Sequence, residues 1–173
     1  QSRFSVVRYG NVAGSRGSVV PIFKKIVEDG KKELPVTDKK MTRFWITLNQ
    51  AVEFVLRSFE RMKGGEIFVP KIPSIKITDL ARAIDPNLKI KVVGIRPGEK
   101  LHEKMCSINE AYLTLEFKDH YVIQPSIKFW DYNINYTKNN LSEVGKPVST
   151  DFEYRSDSNK HFLDIKEIVK LVK

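Results

Sequence analysis

The stretch RYGNVAGSRGSVVPIF, Arg8 to Phe23, decides how this chain is read. Glycines at 10, 14 and 17 alternate with Asn11, Arg16 and Ser18, and an apolar run with helical spacing follows. Upstream, FSVVRY (residues 4–9) is β-branched and aromatic, which predicts a buried strand. Downstream, Val19, Ile22, Phe23 and Ile26 recur at i, i+3, i+4, i+7, the stripe of an amphipathic helix. Pro21 suits the first turn of that helix and Gly30 its close. A glycine-rich strand-to-helix junction lets backbone N–H groups approach oxygens closely, and the helix start adds free amides and a positive dipole end. Asn11 and Arg16 add donors. The glycine spacing fits neither G-x-G-x-x-G nor a Walker A loop, so no dinucleotide fingerprint is present. A tight turn without a ligand has the same composition, and the local sequence leaves both readings open.

The pattern continues as short strands and helices. ELPVT (33–37), RFWIT (43–47), EIFVP (66–70) and KIKVVGI (89–95) read as strands. Val52, Val55, Leu56 and Phe59 predict one helix face, and Ile77, Leu80, Ala81 and Ile84 another. Beyond Ser107 the pattern weakens to strands at YLTLEF and HYVIQ, an Asn-rich loop around 131–142, and a last helix with Ile165, Ile168, Val169 and Val172 on one face. Strands alternating with helices indicate an α/β layout. A strand apolar on both faces needs covering layers. Together with a chain that opens on Gln1, this is expected to be the carboxy-terminal part of something larger.

Composition narrows the class without naming it. The 173 residues suffice for a respectable core, and 41% hydrophobic with 29% charged residues is ordinary for a soluble protein. No apolar run approaches the roughly 20 residues of a membrane span. The single cysteine, Cys106, excludes an internal disulfide and a multi-cysteine metal site, and is expected to be an inert structural thiol in a reduced, cytoplasmic setting. The net charge of +9 comes from 30 Lys+Arg against 21 Asp+Glu, scattered rather than in blocks. It suits an anionic partner and equally a solvated basic surface. Nucleic-acid binding would require clustered cations interleaved with stacking aromatics, and that pattern is missing.

Three further features carry chemistry. Arg43, in MTRFWIT, offers a planar fork for a diphosphate, or for a surface carboxylate. Trp45 is expected in the core rather than as a ligand platform. IRPGEKLHEK sets Arg96 and Glu99 around a Pro-Gly turn at a strand's carboxyl end, where open α/β sheets bind ligands. Arg96 suits phosphate and Glu99 a pair of ribose hydroxyls; an internal ion pair in the turn is the other reading. His102 has no second ligand at metal spacing and is expected to be structural or solvent-facing. No Tyr-x-x-x-Lys pair, nucleophile elbow or triad is present, so no catalytic residue and no metal site are assigned. The chain looks like a binding half.

RYGNVAGSRGSVVP, MTRFWIT and RPGEKLHE, with GGEIFVPKIPSIKITDLA and DFEYRSDSNKHFLD, occur in an order that closely resembles the second half of the inverting UDP-N-acetylglucosamine 4,6-dehydratases. These are extended short-chain dehydrogenase/reductases of pseudaminic acid synthesis, a flagellin sugar. The resemblance covers nearly the whole chain and implies a Rossmann-like α/β fold with a small substrate-binding subdomain. On it, residues 1–173 are the UDP-sugar-binding portion, and NADP and the catalytic groups belong to an amino-terminal half without counterpart here.

It further implies that Asn11 meets phosphate and that Ser18 and Val19 match the stretch touching phosphate and uracil. Leu34 to Thr37 matches the uracil-flanking strand, so Pro35, Val36 and Thr37 are assigned to the base. Arg43 and Arg96 would grip the diphosphate, and Glu99 the uridine ribose. The implied ligand is UDP-N-acetylglucosamine, oxidised at C4, dehydrated across C5 and C6 and inverted at C5 by the full-length, cytoplasmic homo-oligomer. The competing expectations are a related dehydratase/5-epimerase, a retaining dehydratase, a non-catalytic UDP-sugar binder and a basic nucleic-acid module.

Overall fold

In the computed structural model, residues 2–15, 17–127 and 134–172 are described. Arg16 and the first residues of the expected 131–142 loop lie outside them. The chain runs β1 (Val6–Val7), β2 (Asn11–Val12), α1 (Val19–Glu28), β3 (Glu33–Val36), β4 (Thr42–Ile46) and α2 (Leu48–Arg61). It continues as β5 (Ile67–Pro70), β6 (Ser74–Lys76), α3 (Ile77–Ile84), β7 (Lys89–Val92) and β8 (Lys104–Cys106). A 3-10 turn (Ile108–Leu113), β9 (Thr114–Glu116), β10 (His120–Ile123), β11 (Lys146–Pro147), β12 (Tyr154–Arg155) and α4 (Ile165–Val172) complete it. The α/β class expected from the alternation holds. The elements divide into two compact units, each made of three chain segments.

The first unit comprises residues 1–9, 49–71 and 104–154. Its five-stranded sheet has the order β1-β5-β10-β9-β11. β1 and β5 run parallel with Val6 opposite Ile67, and β10 lies antiparallel to both β5 and β9. Phe54, Phe68, Leu115, Phe117 and Val122 form its core.

Two expectations fail in this unit. FSVVRY is not a buried strand here: only two of its residues are extended partners of β5, among the described residues β1 pairs with β5 alone, and Phe4 and Val6 are 78% and 56% exposed. An edge strand buries side chains only where a neighbouring layer covers it. On α2 the period is as expected but the face is not. Ala51, Phe54, Ser58 and Arg61 point inward, while Val52, Val55, Leu56 and Phe59 are exposed. The helix carries two candidate faces; the inward one packs Phe54 into the core and ends on Arg61, which meets Asp119 and Glu143.

The second unit comprises residues 10–48, 72–103 and 155–173. β2 runs parallel to β4, with Asn11 opposite Trp45, and β6 lies antiparallel on the other side of β4, with Arg43 opposite Ile75. β3 and β7 form a separate parallel pair, Leu34 opposite Ile90. Helices α1, α3 and α4 cover a core that includes Phe23, Leu34, Val36, Trp45, Leu80 and Ile168. On α1 Val20 and Phe23 are buried, the expected Val19 and Ile26 pack partly buried against the same core together with Val27, and the expected Ile22 is 49% exposed. α1 starts at Val19, behind Ser18 as N-cap. Gly30, with φ 68°, closes α1 as expected. β7 stops at Val92, so the expected strand to Ile95 is shorter.

Gly10 has a specific steric role. A Cβ there would run into Phe44 Cβ and lie 3.0 Å from the Phe44 carbonyl carbon and oxygen, so only glycine lets the chain pass this close to β4.

Candidate functional site

Strand alternation builds the centre of the site. Arg43 and Trp45 are two residues apart on β4 and so share a face, and the register sets Asn11 beside Trp45. The N-terminus of α1 supplies Ser18 and Val19, and β3 with the residue after it supplies Pro35, Val36 and Thr37. These side chains surround a cavity of about 250 Å³, which Glu99 also lines. Eight of the nine residues assigned from the sequence, Asn11, Ser18, Val19, Pro35, Val36, Thr37, Arg43 and Glu99, therefore meet at one place within one unit.

The ninth does not. Arg96 is exposed and lies outside the lining, so the structure leaves it in the turn three residues before Glu99. The alternative expectation of an Arg96–Glu99 ion pair is also not seen. Glu99 instead accepts the hydroxyl of Thr37 at 3.2 Å and the backbone N–H of Arg96 at 3.3 Å. The carboxylate is thus oriented from the β3 side.

Arg43 is mostly buried, its side chain 12% exposed. Its Nη1 donates to the carbonyl oxygens of Thr42 at 2.7 Å and Leu101 at 3.1 Å, and its Nε stands 4.0 Å from Glu103 Oε1. Backbone acceptors hold the fork in place. The partner carboxylate foreseen for it exists, though at the limit of an ion pair. Burial pushes the Glu103 carboxyl above its ordinary value, against the pull of the Phe44 N–H and Arg43. Arg43 lines the cavity with Glu103 at the edge of ion-pair range.

Trp45 is 2% exposed and belongs to the core, as expected, yet it also lines the cavity. On the sequence alone this second role is set aside in favour of the core, and Val12, Ser15, Phe23, Met41 and Ile77 in the lining are not picked out for the site. Period-two alternation from Arg43 was the signal that could have found Trp45. His102 is structural: its Nδ1 is 2.9 Å from Thr42 Oγ1 and its Nε2 3.9 Å from Asp157. Cys106 is fully buried and burial pushes its thiol up to about 12, which makes it inert.

A roomier cavity of about 460 Å³ lies in the other unit, lined by Arg57, Arg61, Phe117, Lys118, Asp119, Glu143 and Val144. It contains none of the assigned residues. Among the described residues no helix is long and apolar enough to cross a membrane.

Residues 1–125 match the family described as polysaccharide biosynthesis protein. The chain belongs to this family. Within the polysaccharide biosynthesis proteins, it is 57% identical over 172 residues to the UDP-N-acetylglucosamine 4,6-dehydratase (inverting) of Campylobacter jejuni subsp. jejuni, a match covering 99% of this chain and 52% of that protein. It is 37% identical over 171 residues to the UDP-glucose 4-epimerase of Rickettsia massiliae, covering 96% of this chain and 48% of that one. Among solved structures, Pen from Bacillus thuringiensis superposes with a TM-score of 0.79 at 33% identity, over 98% of this chain and 49% of that chain. The chain spans about half the length of the curated relatives it matches.

These matches support part of an extended short-chain dehydrogenase/reductase fold. In the lining, Arg43, Asn11, Ser18 and a helix N-terminus stand with the single carboxylate of Glu99, a set chemically able to hold an anion with an adjoining polar group.

Proposed function

We propose that this chain is the nucleotide-sugar-binding half of an inverting UDP-N-acetylglucosamine 4,6-dehydratase. The observation that carries this reading is the convergence of eight assigned residues on one cavity, donors on one side and Glu99 on the other. Arg43 and Asn11 bind the diphosphate, with Ser18 at the start of α1. Pro35, Val36 and Thr37 flank the uracil. Glu99, oriented by Thr37, accepts the ribose hydroxyls. Arg96 belongs to the same diphosphate grip from the exposed turn it shares with Glu99.

The parent enzyme is NADP-dependent, and bound NADP supplies its redox chemistry. The residues of this chain do not form a dinucleotide site, since its glycines miss the required spacing and no Tyr-x-x-x-Lys pair occurs. The contribution of the chain is to bind and orient the nucleotide sugar. We assign the product to pseudaminic acid synthesis and flagellin glycosylation, and the enzyme to the cytoplasm as a homo-oligomer. The support for these finer assignments is the resemblance of the ordered motifs together with the 57% identity to the Campylobacter dehydratase.

Calorimetric titration of UDP-N-acetylglucosamine into the 173-residue chain and into its full-length parent tests this, with products followed by NMR. Binding, and a 4-keto-6-deoxy product from the full-length protein only, is the expected result. A full-length protein that neither binds nor turns over the nucleotide sugar would overturn the reading.

A further inference from the structure

Two residues that line this cavity each carry a buried polar atom with no hydrogen-bond partner among the described residues: Trp45 Nε1 and Ser18 Oγ. Each is unusual for its position. A buried indole N–H generally finds an acceptor, because leaving it unmade costs more than the bond itself returns. A serine at a helix N-cap generally turns its hydroxyl to the first-turn amides, but Ser18 makes no side-chain capping bond to α1. Both residues line the same cavity as Asn11 and Arg43. β4 alternation places Trp45 on the face of Arg43, and the register places it beside Asn11.

The indole N–H can only donate, so its partner must be an acceptor. Arg43 likewise can only donate, while Asn11 and Ser18 carry acceptor as well as donor atoms; none accepts from the indole here, and an acceptor-rich anion entering the cavity would satisfy all four. We propose that Trp45 is a ligand-contacting residue whose indole N–H donates to a phosphate oxygen of the bound nucleoside diphosphate, alongside the free hydroxyl of Ser18. This assignment rests on the nucleotide-binding reading above and extends it. Trp45 is then both a core side chain and a donor, which ties diphosphate binding to the packing of the second unit.

The test uses the full-length protein, with UDP and uridine as probes. Trp45→Phe keeps an aromatic ring and removes the N–H. UDP affinity is expected to fall about tenfold or more, the scale of a lost hydrogen bond to a charged group, while uridine affinity is unchanged. Replacing Trp45 by its benzothiophene analogue, which preserves shape and lacks only the N–H, gives the same loss without a packing change. In the parent protein the Trp45 indole N–H proton resonance should shift on adding UDP and stay put on adding uridine.

An unaltered UDP affinity in both variants, with wild-type protein binding UDP, overturns the Trp45 assignment and leaves the nucleotide reading standing. Equal weakening of UDP and uridine overturns the phosphate contact in favour of the base. Wild-type protein that binds no UDP defeats the nucleotide reading itself.

Discussion

The hydroxyl of Thr37 donates to the carboxylate of Glu99 across 3.2 Å, joining the end of β3 to a turn sixty-two positions further along the chain. This bond sets one oxygen of Glu99 and leaves the carboxylate facing the cavity. It has a direct consequence for binding: if Glu99 serves the ribose, as proposed, Glu99→Ala should weaken UDP by about tenfold and inorganic pyrophosphate hardly at all. Thr37→Val should have the same selectivity and a smaller effect. Parallel titrations with UDP and pyrophosphate check both, and equal losses for the two ligands would contradict the ribose role.

The two arginines should behave differently. Arg43→Ala removes a fork held by the carbonyls of Thr42 and Leu101, so it should lower both UDP affinity, by about ten- to a hundredfold, and thermal stability. Arg96 is exposed, so Arg96→Ala should reduce UDP affinity with the melting temperature unchanged. Calorimetry and thermal unfolding on the same samples separate the two outcomes.

Gly10→Ala tests the close passage of β2 along β4. The added methyl meets backbone as well as the Phe44 side chain, neither of which can swing aside. A destabilisation of about 1–3 kcal/mol is expected, measured as a shifted urea midpoint at constant slope.

Arg61 is 1% exposed and held by two acids, with Nε 2.7 Å from Glu143 and Nη2 2.9 Å from Asp119. Arg61→Ala should cost about 3 kcal/mol, since it strands two carboxylates and opens space on the inner face of α2. The partial exposure of both acids places this at the low end of the cost of breaking such a pair. Arg61→Met, which restores volume, should recover part of the loss in chemical unfolding.

Acid should loosen the first unit in two steps. Burial lowers the pKa of His120 from its ordinary 6.5 despite Asp119 beside it, so the folded ring stays neutral where the unfolded ring would protonate. Stability is therefore full above 6.5 and falls as pH drops below it. Burial alone would raise Asp119, but the His120 and Arg61 contacts outweigh it and hold the carboxyl at about 2 against an ordinary 3.8. That contribution is present above 3.8 and is lost as pH falls towards 2. Unfolding midpoints recorded across pH 7 to 2 should show both limbs, and Asp119→Asn should be less stable at neutral pH and flatten the lower one.

How much of this was legible beforehand differs between elements. α3 could be read outright, because Ile77, Leu80 and Ala81 are its only strong apolar face and all three are buried. α2 could not. Its stripe Val52, Val55, Leu56 and Phe59 is better hydrophobic patterning than Ala51, Phe54, Ser58 and Arg61, yet the second set is inside. Nothing local marks Arg61 as buried, since its partners lie 58 and 82 residues away.

The sequence by itself determined the α/β class, the family and the residue types of the candidate site, because glycine spacing, helical periodicity and the RYGN, TRFW and RPGEK motifs are local properties. Tertiary structure decided which faces turn inward, which eight residues share one cavity, and that Arg96 stands outside it. It also brought the unpaired donors of Trp45 and Ser18 to the same space. Burial and hydrogen-bond pairing depend on contacts between segments far apart in the chain, and no local pattern encodes them.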